Sequence, residues 1–490
     1  EIAQCLVGSE MCIRDRSSHF ENQQKTIIFT QYLNTGQNNI PSMRQILLLL
    51  PLLFGACSPK SQPIAENSPS WLEADSAAAI ESRLAADFSL SFDSAASLVR
   101  QRHPELSDSD ILSFIDKKYM EAKTINGEMR IHRKSPRNLE LLNPDYNGGW
   151  KLRGASASDA RISYVDSVIK WSEGKNALGG AHEVVYRFTI DVPYHEALRG
   201  DTLRVWMPLA HVSERQPVVK ILSTYPEEFI ASTPEQSVHS TVYMQQPVAE
   251  GDTTHFECVV AYEARGQYFT PDFIRANIKD YDRDSEVYKK YTAFEAPHII
   301  NLDTLARQIV GDETNPYKSS ELVYDYIINR YPWAGAREYS TISCIPAYVV
   351  REGHGDCGQV GLLYISLMRS LGIPARWESG WMIHPGEKNL HDWAEVYFEG
   401  VGWVPVDVSF GRYVNSGDKA IEKFYSTGMD AHRLASNLGV CGALYPPKKF
   451  VRSETVDFQL GEVESTKGNL FYPAWDLHME LISVTPKAVK

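Results

Sequence analysis

The chain has 490 residues, of which 43% are hydrophobic and 23% charged, a composition typical of soluble globular proteins. This length exceeds what one hydrophobic core can organise and indicates about three domains. Asp and Glu number 62 against 49 Lys and Arg, and the resulting net charge of −13 argues against nucleic acid or anionic lipid as the main partner.

The first apolar segment follows Met43 and Arg44 and ends at Gly55, Ala56 and Cys57. It is too short to cross a bilayer as a stable anchor. The segment 43–57 resembles a bacterial lipoprotein signal peptide. That resemblance implies cleavage before Cys57, lipidation of its thiol, and a membrane-anchored protein of the cell envelope. A plain secretory signal or a buried apolar segment is the alternative interpretation.

Residues 1–42 lie upstream of that predicted start. The stretch 5–16 looks like translated sequencing-adapter DNA, so we interpret 1–42 as a non-native extension. Residues 58–70 are rich in Pro and Ser and are predicted to be a tether.

The pattern of residues 71–177 predicts a helical region, in which Ser107 is positioned to cap a helix through Ile111 and Phe114. Residues 178–284 alternate between apolar and polar side chains, most clearly at 182–190, 203–207 and 255–260. Turn residues separate these segments, and the pattern predicts a β-sandwich.

Two amphipathic helices are predicted after Leu302, and they open a core that we place at 285–425. The remaining segment, 426–490, is punctuated by Gly and Pro. Strands are predicted near 455–458 and 479–482, so this segment is expected to be a β-rich extension.

Cys357 follows a glycine-containing loop and precedes an apolar-periodic run that ends at Gly372. This layout predicts a cysteine in the first turn of a buried helix. There the free N–H groups and the helix dipole favour a thiolate, and the same N–H groups can receive an oxyanion. Cys357 is therefore a candidate nucleophile, although a lone cysteine at a helix start is more often a small buried hydrophobe.

A leaving amine needs a proton, which a histidine can supply after pairing with the thiolate as imidazolium. His391 lies at the entry to an alternating segment, and a short turn leads from it to a second strand that ends at Asp407. An antiparallel hairpin of this kind predicts that Asp407 lies beside His391 and fixes its tautomer.

Four motifs together carry a resemblance to the transglutaminase-like superfamily: GDCG at 355–358, GIPAR at 372–376, HDWAEV at 391–396 and GWVPVD at 402–407. The resemblance places the family's nucleophile on Cys357, its base on His391 and its orienting acid on Asp407. It implies an α+β papain-like core, acyl transfer through a thioester, and no metal or other cofactor in the chemistry.

The resemblance implies a peptide or glycopeptide substrate, but family members include crosslinkers, peptidases, amidases and inactive relatives. Because the sequence has no EF-hand-like loop, we favour hydrolysis over crosslinking. Trp333, Tyr339 and Gln359 are the candidates for an additional oxyanion donor, and the sequence does not choose among them. A non-catalytic scaffold that binds peptide or glycan is the alternative hypothesis.

A third hypothesis, a zinc hydrolase, would use His354 and His384 with Cys357 and His391. Their spacing matches no standard ligand pattern, so we expect no metal in the active site. The other cysteines of the folded region, Cys258, Cys344 and Cys441, have no regular spacing, and their pairing is left open.

Overall fold

The computed structural model describes residues 72–73, 75–146, 160–172, 178–294, 296–411 and 418–487. The predicted upstream extension, signal peptide, lipidation site at Cys57 and tether lie outside these residues. No helix within them is long and apolar enough to cross a membrane.

The α-helices of the described residues are α1 (Ser76–Asp87), α2 (Phe92–Arg100), α3 (Asp108–Asp116), α4 (Ser135–Leu142), α5 (Ala160–Ser172), α6 (Pro271–Asn277), α7 (Glu286–Thr292), α8 (Asp303–Val310), α9 (Pro316–Arg330), α10 (Ile345–Glu352), α11 (Cys357–Ser370) and α12 (Lys419–Glu422). Short 3₁₀ helices cover Glu196–Leu198, Tyr339–Thr341, Phe424–Ser426 and Tyr472–Ala474.

The strands are β1 (Leu72–Glu73), β2 (Leu90–Ser91), β3 (Ala122–Ile125), β4 (Glu128–Ile131), β5 (Leu178–Val192), β6 (Thr202–Pro208), β7 (Val219–Tyr225), β8 (Ile230–Ala231), β9 (Thr241–Pro247), β10 (Thr254–Tyr268), β11 (Ala375–His384), β12 (Glu387–Phe398), β13 (Gly402–Val406), β14 (Gly428–Met429), β15 (Arg433–Asn437), β16 (Glu462–Glu464), β17 (Asn469–Leu470) and β18 (Asp476–Pro486). Helices and antiparallel sheets are mixed along the chain, which confirms the predicted α+β class.

Two facing sheets form the sandwich. One has the order β1-β17-β16-β6-β9-β8, and the other has β14-β10-β5-β18, with β7 also paired to β10. Alternate residues of the long strands β5 and β10, such as Phe188 and Val260, are buried in a common core with Val205 and Met244 of the opposite sheet. This period-two burial is what the alternating sequence predicted.

The core placed at 285–425 has a sheet of order β13-β12-β11-β15 with α11 packed against it. The buried face of α11, including Leu363 and Leu367, packs against Ala394 and Val396 of β12. The helix is buried on nearly all sides, because α9 and α10 cover the faces that the sheet leaves open. A helix held this way fixes the position of the residue at its first turn.

The N-terminal region combines α1 to α4 with a small sheet of order β2-β4-β3. Ser107 caps α3 as predicted, with a reciprocal hydrogen bond from Asp110. The region is docked on the core by polar contacts: the Asn138 amide bonds both the carbonyl and the N–H of Gly335, at 2.9 and 2.8 Å.

The C-terminal segment is divided among the sheets of the other regions. Strand β15 joins the core sheet, β16 and β17 join one sheet of the sandwich, and β18 pairs with β5 in the other. The strand predicted near 479–482 is confirmed, but the strand predicted at 455–458 is wrong. There the backbone makes isolated hydrogen bonds instead of pairing with a neighbouring strand. One example is the bond that the Cys441 N–H donates to the Val456 carbonyl at 2.7 Å.

Candidate active site

The first turn of α11 presents Cys357, as the sequence predicted. Asp356 is the N-cap: its carboxylate accepts from the Gln359 N–H at 3.0 Å, and the Gln359 side chain accepts from the Asp356 N–H at 3.2 Å. This reciprocal capping box explains why the helix begins at Cys357. It also leaves the N–H groups of Cys357 and Gly358, which precede the first intrahelical bond, available to an oxyanion.

The three residues considered as oxyanion donors all lie near this turn. Trp333 forms a parallel bridge with Gly355, two residues before the cysteine. The Tyr339 hydroxyl donates to the cap carboxylate of Asp356 at 2.6 Å. Gln359 uses its side-chain oxygen in the capping box, while its buried amide nitrogen has no hydrogen-bond partner among the described residues. Which of the three completes an oxyanion site stays a prediction.

The hairpin of β12 and β13 brings His391 and Asp407 together. His391 Nε2 lies 2.6 Å from Asp407 Oδ2, and both side chains are buried. Strand β12 begins at Glu387, so His391 lies within the strand and not at its entry as expected. The reason is that β12 starts directly after the β11 hairpin turn and pairs with β11 along the whole length of that strand.

Asp407 is held by several donors besides the imidazole. Its Oδ1 accepts from the N–H groups of Ser409 and Phe410 at 3.1 and 3.2 Å, and its Oδ2 lies 3.3 Å from the Arg433 guanidinium. Burial acts to raise the pKa of Asp407, but His391 and Arg433 hold it below its ordinary value. The carboxylate is thus ionised and oriented towards the ring.

The Cys357 thiol donates to Asp392 Oδ2 at 3.2 Å. Within the described residues, no hydrogen bond joins Cys357 to His391, although Asp392 is the next residue after His391 in β12. One arm of the expected triad, from His391 to Asp407, is therefore formed, and the other is interrupted by the neighbouring carboxyl group.

The protonation states also differ from the thiolate and imidazolium pair that the sequence suggested. Burial, together with the nearby carboxylates of Asp392 and Asp356, raises the pKa of Cys357 well above its ordinary value. Burial lowers the pKa of His391, and the positive charge of Arg433 adds to this effect. In this conformation the thiol and the imidazole are both neutral, because their charged forms are desolvated.

Gly358 allows the close packing around the thiol. A Cβ at this position would lie 2.4 Å from the Tyr339 hydroxyl and 2.7 Å from Asp392 Oδ2. Trp377 is equally close on the same side. Any side chain here would push apart the groups that surround Cys357.

Sequence reasoning missed the contribution of the C-terminal segment to the site. Gln459 donates to Asp392 Oδ1 at 2.7 Å and to the His391 carbonyl at 3.1 Å. Burial and the neighbouring Asp457 carboxyl raise the pKa of Asp392 well above its ordinary value. Asp392 was visible in the sequence as part of the HDWAEV motif, but nothing in the pattern around Gln459 indicated a contact with it.

Arg433 was also missed. Its guanidinium lies 3.3 Å from Asp407 Oδ2 and donates to Asp430 Oδ2 at 3.3 Å. It is buried over the rings of Phe410 and Trp393. Arg433 therefore positions Asp407, the candidate orienting acid, from a strand that is distant in sequence.

The residues considered for a catalytic zinc site do not converge. His354 is buried beside Tyr348 in the loop that follows α10. Among the described residues, the metal-type side chains close enough to share an ion are His384, Asp430 and His432, a group that excludes Cys357, His354 and His391. Cys258, Cys344, Cys357 and Cys441 are all free thiols.

Comparisons with known proteins agree with the motifs. A family model described as the transglutaminase-like superfamily matches residues 303–408. An uncharacterised protein of Haemophilus influenzae is 25% identical over 233 residues, covering 39% of this chain and 61% of that protein. The uncharacterised protein YebA of Bacillus subtilis is 28% identical over 131 residues, covering 22% of this chain and 17% of YebA. The chain thus spans less than two thirds of the length of these curated relatives.

Solved structures with a related arrangement include a candidate cysteine protease from Cytophaga hutchinsonii, at 16% identity and a TM-score of 0.39, covering 63% of this chain and 94% of that one. The periplasmic domain of TgpA from Pseudomonas aeruginosa aligns at 12% identity and a TM-score of 0.25, covering 53% of this chain and 94% of that one. These scores are too low to carry an argument about function, so the assignment rests on the family model and the motifs. Residues 303–408 form a transglutaminase-like domain.

Proposed function

We propose that the protein is a cysteine-dependent enzyme that cleaves amide bonds of peptides or glycopeptides through a thioester on Cys357. The observation that carries this proposal is the bond of 2.6 Å between His391 Nε2 and Asp407 Oδ2, next to a cysteine at a helix start. A buried imidazole with an oriented acid on one nitrogen has its other nitrogen available for proton transfer.

In the proposed reaction, Cys357 Sγ attacks the substrate carbonyl carbon while its proton passes to His391. The tetrahedral oxyanion is received by the N–H groups of the first turn of α11. His391 then returns the proton to the leaving amine as the C–N bond breaks, and a thioester remains. Water, deprotonated by His391, attacks the thioester and releases a carboxylic acid and the free thiol.

The first step requires the thiol to leave Asp392. We propose that substrate binding moves the Cys357 side chain from the carboxyl group of Asp392 towards the imidazole. Catalytic hydrogen bonds are often absent or long in free enzymes and form in the substrate complex.

The cellular location of the protein is also a proposal: the signal-like segment 43–57 supports a lipid anchor at Cys57 and a site in the cell envelope.

The test is a product analysis with peptidoglycan fragments and glycopeptides in heavy-oxygen water that also contains a fluorescent primary amine. Hydrolysis predicts one heavy oxygen in the new carboxyl group, and amine transfer predicts a fluorescent amide instead. Both products should be absent with Cys357→Ala. Water as the main acceptor is expected, and a predominantly fluorescent product would make the protein a crosslinker.

The alternative, a non-catalytic scaffold that binds peptide or glycan, is favoured by one observation. The thiol is neutral and bonded to Asp392 in place of the imidazole. Calorimetric binding of the same fragments, with no product in the wild type, would establish that alternative.

A further inference from the structure

Three metal-type side chains converge at the end of β11, in the sheet of the core. His384 is the last residue of β11, and Asp430 and His432 lie in the short connection between β14 and β15. One ligand atom from each lies within 4.8 Å of the others. His384 Nε2 is 3.2 Å from Asp430 Oδ1, and His432 Nδ1 is 3.6 Å from the same oxygen.

The protein satisfies the ring nitrogens of these histidines only in part within the residues that the structure describes. Among the described residues, His384 Nδ1 is buried without a hydrogen-bond partner, while His384 Nε2 and His432 Nδ1 share one neighbour, Asp430 Oδ1, at 3.2 and 3.6 Å. Each histidine is only 3% exposed, and Asp430 is 1% exposed. A buried polar atom without a full hydrogen bond is costly, so one nitrogen without a partner beside two that share a single oxygen calls for a ligand that would bond them.

The carboxylate is oriented so that one oxygen faces the histidines. Asp430 Oδ2 accepts from the Tyr425 hydroxyl at 2.8 Å and from Arg433 at 3.3 Å. Oδ1 accepts the backbone N–H of His432 at 2.8 Å and lies 3.2 and 3.6 Å from the imidazole nitrogens of His384 and His432. Outer partners that hold a ligand in this way are a regular feature of metal centres.

We propose that His384, Asp430 and His432 form a binding site for a divalent transition-metal ion of the Zn²⁺ type. With bonds of about 2.0–2.1 Å, the ligand atoms of a tetrahedral zinc site lie about 3.3 Å apart, close to the two distances found here. Two imidazoles and one carboxylate suit Zn²⁺, whereas Ca²⁺ and Mg²⁺ prefer sites made of oxygen atoms.

His182 of β5 lies beside His432. Its ring centre is 5.1 Å from that of His432, and its Nδ1 is buried without a hydrogen-bond partner in the part of the chain that the structure describes. It is therefore suited to approach the fourth position, directly or through water. An ion here would tie β5 of the sandwich to the ends of β11 and β14.

The site is separate from Cys357 but is linked to the triad. Arg433 bridges the two carboxylates, with one terminal nitrogen 3.3 Å from Asp407 and the other 3.3 Å from Asp430. The ion would hold Asp430, and through it the guanidinium that orients Asp407. The metal would therefore have a structural role, and the acyl transfer itself would not use it.

The experiment uses the full chain, stripped with a chelator and then titrated with Zn²⁺ in competition with a chromophoric chelator. We expect about one equivalent of Zn²⁺ per chain. His384→Gln and His432→Gln should each weaken binding by at least tenfold, since loss of even an outer partner typically costs 10–100-fold. His354→Gln removes a buried histidine elsewhere, and Cys357→Ser removes the reactive thiol, so both should bind as the wild type does.

Two further readouts keep the result decisive if a variant folds poorly. Co²⁺ in the wild type should give visible bands of a tetrahedral site without a thiolate charge-transfer band. Zn²⁺ should also raise the melting temperature of the wild type but not that of the double variant that combines His384→Gln with His432→Gln, because only a folded-state site stabilises by mass action. The proposal is overturned if the stripped wild type takes up no Zn²⁺, or if the double variant binds as tightly, or if the bound Co²⁺ shows a thiolate band that disappears in Cys357→Ser. None of these readouts depends on enzymatic activity.

Discussion

Cys357 and Asp392 are hydrogen-bonded to one another across the junction of α11 and β12, with Sγ 3.2 Å from Oδ2. This contact joins the candidate nucleophile to the residue that follows the candidate base in the chain. It holds the thiol in its protonated form, because both carboxyl proximity and burial oppose a thiolate. Asp392 is therefore placed to keep the Cys357 thiol protonated.

Replacing Asp392 by Asn should make the thiol more acidic. The amide cannot ionise, and its NH₂ group can donate to a thiolate, so the pKa of Cys357 should fall. We expect the pH profile of Cys357 alkylation by iodoacetamide, followed by mass spectrometry, to move to lower pH. Asp201→Asn, which changes a buried carboxyl in the sandwich, should leave the profile in place. A shift to higher pH in Asp392→Asn would contradict this role.

Replacing Asp407 by Ala should slow acylation of Cys357 by roughly 10²–10⁴-fold, since the imidazole would lose the acid that fixes its tautomer. The rate can be followed by the release of nitrophenolate from an activated ester. Ser409→Ala is the matched control, because it removes one hydroxyl at 3.1 Å from Asp407 Oδ1 and keeps the backbone N–H groups. Equal rates in Asp407→Ala and Ser409→Ala would remove Asp407 from the mechanism.

Tyr339→Phe should lower the free energy of unfolding by about 1–3 kcal/mol, because the buried cap carboxylate of Asp356 would lose a donor at 2.6 Å. Urea denaturation measures this loss. Tyr331→Phe is the control: its hydroxyl has a weak contact of 3.4 Å with the Tyr326 hydroxyl, so a loss of less than about 1 kcal/mol is expected. Equal losses in the two variants would show that the bond to Asp356 contributes nothing specific.

The buried carboxyl group of Glu454 should make the free energy of unfolding decrease as the pH rises. Burial raises its pKa to about 8 from an ordinary value of 4.5, so between these values the folded chain keeps a proton that the unfolded chain has released. The free energy of unfolding therefore decreases with pH over this window. The difference in stability between Glu454→Gln and the wild type, measured by urea midpoints, should therefore favour the variant more at pH 8 than at pH 5. Glu128→Gln controls for the loss of one negative charge, and an unchanged difference at the two pH values would contradict the prediction.

Local patterns predicted much of the fold. The Gly353 to Gln359 loop, the apolar period of α11 and the short turn before β13 were sufficient to place Cys357, His391 and Asp407 on their elements. They succeeded because capping, helical periodicity and hairpin geometry are decided by residues close in sequence.

Contacts between residues far apart in the sequence could not be predicted from such local patterns. Gln459 reaches Asp392 from a segment with no strand of its own, and Arg433 reaches Asp407 from a different strand of the sheet. Both are common polar residues, and only tertiary contacts assign them a role. The same holds for His384, Asp430 and His432, whose two short segments are 46 residues apart in the chain and meet because β11 pairs with β15.

The most direct test of the central claim, that Cys357 is a nucleophile served by His391, is the trapping of an acyl group. The protein is mixed with an activated ester, quenched and mapped by mass spectrometry, while the released nitrophenolate is counted. The account predicts a burst of about one equivalent with the acyl group on Cys357, absent in Cys357→Ala and strongly slowed in His391→Ala. No acyl group on Cys357, or an equal burst in His391→Ala, would contradict it.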